Sequence, residues 1–160
     1  MATSYLNPTT HITAKNPIEV GAAALYSITG DTTQVCELNS SEPSEIAQTI
    51  NGDFAGDTLH LTFQDALRGG TSDSENNIEV LWNGVGVANY KPTTNAMMTQ
   101  TLSLVGQAGV NTLSFASYSV QSSEGGIIDN VSLTAPSPAA FLPMAFGLLP
   151  ILRLRRRSKK

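Results

Sequence analysis

The feature that most constrains this chain is an alternation of two. In "DTLHLTF" (57–63) Leu59, Leu61 and Phe63 fall on one side, and in "NTLSFASY" (111–118) Leu113 and Phe115 do. Side chains of an extended strand point to opposite faces in turn, so this period places one face on a core and the other in water. The same texture recurs in short runs such as "TQVCELN" (33–39), "EIAQTI" (45–50), "NNIEVLW" (76–82), "MMTQTLSLV" (97–105) and "GIIDNVSLT" (126–134). Turn signals separate them: Asn51-Gly52, Gly69-Gly70, Asn83-Gly84, Gly106 and Gly125-Gly126. Asn-Gly readily supplies the two positive φ angles of a hairpin turn, so "LWNGVGV" predicts a hairpin. No stretch before residue 139 has capped helical periodicity. Eight or nine short antiparallel strands therefore predict an all-β sandwich of the jelly-roll kind.

Three segments follow from the pattern. Residues 1–16 read as a polar, flexible lead, residues 17–134 as the sandwich, and residues 135–160 as a separate C-terminal segment. Composition divides the chain in the same place. The first 152 residues hold three basic side chains (Lys15, Arg68, Lys91) against all thirteen acidic ones. So acidic a body repels a phosphate backbone, which argues against nucleic acid as a partner and suits cations or hydroxyl-rich ligands. Cys36 is the single cysteine, so no disulfide can form within the chain, and its strand setting reads as a small buried apolar residue.

Within the body, the phrases "ELNSS", "DTLHLTFQDALRGG", "IEVLWNG" and "GGIIDNVSL" occur in an order that resembles the galactose-binding-like β-sandwich modules of bacterial surface and exopolysaccharide-associated proteins. The resemblance covers residues 17–134 and implies a jelly roll that binds carbohydrate without catalysing a reaction. Arg68, Trp82 and Asn83 are the candidate ligand residues. Trp82 could stack on a sugar ring beside the Asn83 amide, or belong to the core with Ile78 and Val80. Arg68 could clamp a ligand, or pair with the nearby acids Asp65, Asp73 and Glu75. By analogy with the fold, Glu37 and Asp129 are candidate oxygen ligands of a structural Ca²⁺, although no EF-hand spacing exists and solvated acidic loops are the better account of such residues. His11 and His60 have no nucleophile or acid at motif spacing, so catalysis has no support.

The C-terminus "PSPAAFLPMAFGLLPILRLRRRSKK" is of another kind. Its fourteen-residue apolar run would make a helix of about 21 Å, interrupted by Pro143 and Pro150. A hydrocarbon core of about 30 Å makes that a marginal span. Arg153, Arg155, Arg156, Arg157, Lys159 and Lys160 follow, and such a cluster stays cytoplasmic, leaving the body outside. The segment resembles the PEP-CTERM class of sorting signals, with Pro136, Ser137, Pro138 and Ala139 as its processing step. That resemblance implies an exosortase-type membrane protease as a partner and a transient membrane anchor. The mature body would then be secreted or held at the cell surface. No charged and apolar leader opens the chain, which predicts a true start upstream of Met1. Two functions stay open at this level: a module that binds extracellular polysaccharide, and a structural biofilm-matrix protein with no specific ligand.

Overall fold

A computed structural model describes residues 3–4, 12–31, 33–118 and 122–136. Among the described residues there are eleven strands: β1 (Thr3–Ser4), β2 (Ile12–Ala14), β3 (Glu19–Ala22), β4 (Gln34–Glu37), β5 (Glu45–Asn51), β6 (Thr58–Ala66), β7 (Ile78–Trp82), β8 (Val85–Tyr90), β9 (Met98–Val105), β10 (Val110–Ser117) and β11 (Ile127–Ala135). One sheet runs β3-β4-β11-β6-β9, with β1 also on β11; the other runs β2-β5-β10-β7-β8. All strand pairs in the two sheets are antiparallel. This is the expected all-β sandwich.

The alternation read from sequence is the alternation seen. Along β6 Leu59, Leu61 and Phe63 are buried while Thr58 and His60 are exposed. β7 buries Ile78, Val80 and Trp82. These side chains meet between the sheets, where the Phe63 ring lies edge-on to Tyr90 at 5.1 Å and to Phe115 at 4.9 Å. The β7–β8 hairpin turns on Asn83 (φ 53) and Gly84 (φ 78), the two left-handed residues that the Asn-Gly pair predicts.

Two departures matter. The apolar run "PIEVGAAALYSIT" (17–29) does not stay extended: it breaks after Ala22 into a 3₁₀ turn over Ala23–Tyr26 that ends with Ser27 in the left-handed region. Ala23, Tyr26 and Ile28 thereby fold over the outer face of the first sheet, where they bury Val35, Ala66 and Ile127 in a second, smaller cluster. Cys36 and Ile128 face the other way, into the main core. In addition, Ile12–Ala14, within the stretch expected to be a flexible lead, pair with Ile46–Gln48 of β5 and complete that edge of the second sheet. The expected C-terminal helix, and with it Ser137, Pro138, Ala139 and the basic cluster from Arg153 to Lys160, lies outside the described residues. Among the described residues no helix is long and apolar enough to cross a membrane.

The two faces of β6 should respond differently to truncation. Leu61→Ala, at a side chain with no exposure, should cost about 2–5 kcal/mol, whereas His60→Ala on the wet face should stay within about 0.5 kcal/mol. Urea titration followed by the fluorescence of Trp82, the one tryptophan, measures both.

Candidate functional site

Arg68 follows β6 and turns back over the outer face of the first sheet. Its Nη1 donates to both carboxylate oxygens of Glu37, at 2.8 and 3.1 Å, and its Nη2 lies 3.6 Å from Glu124. The guanidinium sits 5.5 Å from the centre of the Tyr26 ring. Glu37 is fully buried and also accepts the Gly125 N–H at 2.7 Å. Burial pushes its carboxyl above the ordinary range, and the hydrogen bonds from Gly125 and Arg68 pull it back. The Arg68 N–H is itself held by the Asn76 side chain. The partners are thus Glu37 and Glu124 rather than the sequence neighbours Asp65, Asp73 and Glu75. Asp65 turns inward to Gln100, and Glu75 is occupied by Ser72 in a capping box.

Trp82 and Asn83 stand at the other end of β7. Trp82 is 7% exposed, and its indole N–H donates to the Val105 carbonyl at 2.8 Å. The Asn83 Oδ1 accepts the Thr112 N–H at 2.8 Å, and its Nδ2 donates to Asn111. Asn76, which holds Arg68, precedes the first residue of β7 by two, while Trp82 is its last. The structure therefore does not bring the three candidate ligand residues together, and each has its polar groups engaged within the protein.

Glu37 and Asp129 share the outer face of the first sheet, since Glu37 pairs with Ile127 two residues before Asp129. They face different partners. Asp129 is raised above the ordinary range by burial and by the adjacent Asp31 carboxyl, while the Asn130 N–H opposes that rise. With Glu37 already neutralised by Arg68, the two do not fit a shared metal cage. Among the described residues no three His, Cys, Asp or Glu side chains are placed to hold an ion. The Cys36 thiol, pushed up to about 11 by burial and then by the Glu37 and Asp129 charges, is inert at neutral pH.

A cleft that no motif of the sequence marks opens on the flank between β8 and β9. The cleft there has a volume of about 350 Å³ and is lined by Asp65, Asn89, Tyr90, Lys91, Thr94 and Gln100. Asp65 is 1% exposed and accepts the Gln100 Nε2–H at 3.0 Å. Burial raises its carboxyl, against the hydrogen bonds from Gln100 and its own N–H. Burial and the Asp65 charge likewise raise the Tyr90 hydroxyl. The segment 91–97 forms one wall and is pinned from outside: the Thr94 carbonyl accepts the Leu67 N–H, the Asn95 carbonyl accepts the Thr29 N–H, and the Asn95 amide donates to Ser27. One signal was available. Asp65 continues the inward series Leu59, Leu61, Phe63, and an acid in that series must be buried with a partner.

The class this architecture defines is the jelly-roll β-sandwich, a fold shared with solved carbohydrate-binding modules. A family 35 carbohydrate-binding module from Paenibacillus barcinonensis superposes with a TM-score of 0.51 at 24% identity, over 85% of this chain and 99% of that one. A family 35 module from Clostridium thermocellum gives 0.52 at 17%, over 83% and 97%. TmCBM61, solved with β-1,4-galactotriose, gives 0.55 at 12%, over 84% and 99%. Likeness at these identities establishes the fold. In sequence the chain is similar to the multifunctional-autoprocessing repeats-in-toxin of Vibrio cholerae serotype O1, 31% identical over 118 residues. It is similar to that of Vibrio vulnificus at 31% over 109 residues. Those stretches are 72% and 67% of this chain but only 3% and 2% of the toxins, so the match spans one domain's length within far longer proteins. No family model matches the chain.

Removing Arg68 should strand a buried carboxylate. Arg68→Ala is expected to lose about 3–5 kcal/mol. The pH dependence has a definite sign. Glu37 is already raised above its ordinary value of 4.5, and losing the guanidinium raises it further. A folded-state rise gives stability that is present at low pH and lost as pH climbs through the raised value. The deficit relative to wild type should therefore stay level at low pH and grow as pH climbs above the wild-type carboxyl's own raised value toward the higher value of the variant, and Glu37→Gln in the Arg68→Ala background should recover part of it. Thermal melts across pH check the sign.

Proposed function

We propose that residues 12–136 form a carbohydrate-binding module whose ligand site is the cleft between β8 and β9. The observation that carries this reading is the cleft's chemistry. A buried carboxylate and a carboxamide, Asp65 and Gln100, share a hydrogen bond in a recess that the polar residues Asn89, Tyr90 and Thr94 also line. Sugars are recognised by such convergent acceptors and donors fixed on a rigid scaffold, with an aromatic or apolar surface beside them. Strands β6, β8 and β9 hold these groups, and the pinned 91–97 wall leaves little ordering entropy to lose on binding. The modules that share this fold support the reading, since TmCBM61 was solved with a galactose trisaccharide. Arg68, Trp82 and Asn83 then act on binding through the scaffold: Arg68 holds the outer loops, and Trp82 with Asn83 fixes the β7–β8 hairpin from which Asn89 projects.

The module belongs, on this reading, to an exported protein that works outside the cell on polysaccharide. The acidic body and the apolar, then basic, C-terminal segment support this, as does the resemblance of Pro136–Ala139 to an exosortase processing step. A proline disfavours the helical region for the residue before it, so the sequence Pro136–Pro138 suits the extended substrate that a protease requires. Intact-mass measurement of the protein from its native host should find the mature C-terminus near the processing step, ahead of the apolar run. A terminus at Lys160 would refute processing.

Ligand binding has its own test. Glycan-array retention should select a narrow set of neutral or uronic oligosaccharides. Asn89→Ala, at an exposed side chain, should weaken the best of them about tenfold with the melting temperature nearly unchanged. Retention unaffected by Asn89→Ala and Gln100→Ala together would move the site elsewhere.

A further inference from the structure

Natural sheets guard their edges, because an unpaired row of N–H and C=O groups recruits another strand. Most edges here are guarded. β1, β2 and β3 are two, three and four residues long. β8 carries a register irregularity against β7 and runs into Lys91 and Pro92. β9 has none of these devices. It spans eight residues, Met98–Val105, in unbroken register with β6, and contains no charge, no proline and no glycine.

The ladder fixes which of its groups face out. The Gly106 N–H donates to the Asp57 carbonyl at the end of the β6–β9 pair. Antiparallel bonding alternates from there, so residues 104, 102, 100 and 98 bond β6 while the N–H and C=O groups of Thr99, Thr101, Ser103 and Val105 point away. The Val105 carbonyl is taken by the Trp82 indole, as that alternation requires. Among the described residues nothing pairs with the outward groups of the other three, Thr99, Thr101 and Ser103, and the side chains of all three are exposed.

We propose that β9 pairs antiparallel with β9 of a second copy of this chain, about a twofold axis through Thr101. Centred there, Thr101 opposes its own counterpart and Thr99 opposes Ser103. All three outward residues of each copy then meet as hydrogen-bonded pairs, and the Trp82 cap ends the ladder at Val105. The occupant follows from charge. The domain is acidic, and self-approach through most of its surface is repulsive, whereas β9 is neutral along its whole length. Hydroxyl pairs across the axis are favourable cross-strand neighbours. The first sheet of one copy would continue into that of the other, with the two β8–β9 clefts flanking the junction.

Sedimentation velocity on the full chain should show a dimer that grows with concentration. Thr101→Pro removes an N–H that points away from β6, a position that edge strands tolerate, so it should abolish the dimer and leave the fold intact. If that variant unfolds, Thr101→Lys decides, since it sets like charges against each other on the axis; loss of the dimer with the fold retained supports the pairing. Register is read by cross-linking in a Cys36→Ser background. Opposed residues of a hydrogen-bonded pair lie about 5.5 Å apart between Cα atoms, within disulfide range. Thr101→Cys should therefore form a covalent dimer under mild oxidation at least about tenfold more readily than Thr99→Cys, whose counterparts would stand about 14 Å apart. A chain that stays monomeric, a dimer that survives both Thr101→Pro and Thr101→Lys, or equal cross-linking at the two positions would overturn the proposal.

Discussion

The ion pair between Arg68 and Glu37 joins parts of the molecule that have little else in common. Glu37 is on β4, Arg68 on the loop after β6, and Glu124 and Gly125 on the approach to β11. A carboxylate without solvent is tolerable only if its charge is met and its lone pairs are filled, and here one guanidinium and one backbone N–H do both. Gly125 has to be small for this. A β-carbon there would meet the Asn39 side chain at 2.5 Å, and the Asn39 amide in turn holds the Ser122 and Glu124 carbonyls. The pair thus sets the position of three loops at one end of the sandwich. It also supplies the polar lid of the small outer cluster formed by Tyr26, Ile28, Val35 and Ile127.

A second buried acid, Asp65, is treated differently. It has a neutral carboxamide for a partner instead of a guanidinium, and it borders an open cleft instead of a packed loop. On the proposed function, the contrast separates scaffold from site. Glu37 is saturated and walled in, while Asp65 keeps unspent acceptor capacity beside groups that can also turn to a ligand. Two-sheet packing creates the cleft, because β8 and β9 end their sheets on the same flank and Phe63 and Tyr90 close the space behind them.

Much of this was legible in the residues. Alternation predicts the strands from β4 to β11 to within a few residues, because a half-buried strand writes its two faces directly into its sequence. Asn83-Gly84 predicts its hairpin for a similarly local reason. Trp82 falls on the core face with Ile78 and Val80, which was one of its two readings. The partners of Arg68 were not legible. Glu37 and Glu124 are 31 and 56 positions away, and only the β4–β11–β6 order of the sheet brings them to the guanidinium. The breaking of 17–29 at Ala22 was hidden too, since an apolar run reads the same whether it extends or folds over a neighbouring face.

By itself, then, the sequence determined an all-β sandwich, its strand faces, its principal hairpin and the chemical contrast between an acidic body and a basic C-terminus. These follow from period, turn chemistry and charge, which act over a few neighbouring residues. Tertiary structure alone decided which polar groups are consumed and which are left over. It spent Arg68 on Glu37, Trp82 on Val105 and Asn83 on Thr112, and it assembled the β8–β9 cleft from residues that no motif links. The physical reason is that a buried polar group takes whatever partner the packed sheets bring within 3 Å or so, and that choice depends on strand order across the whole chain.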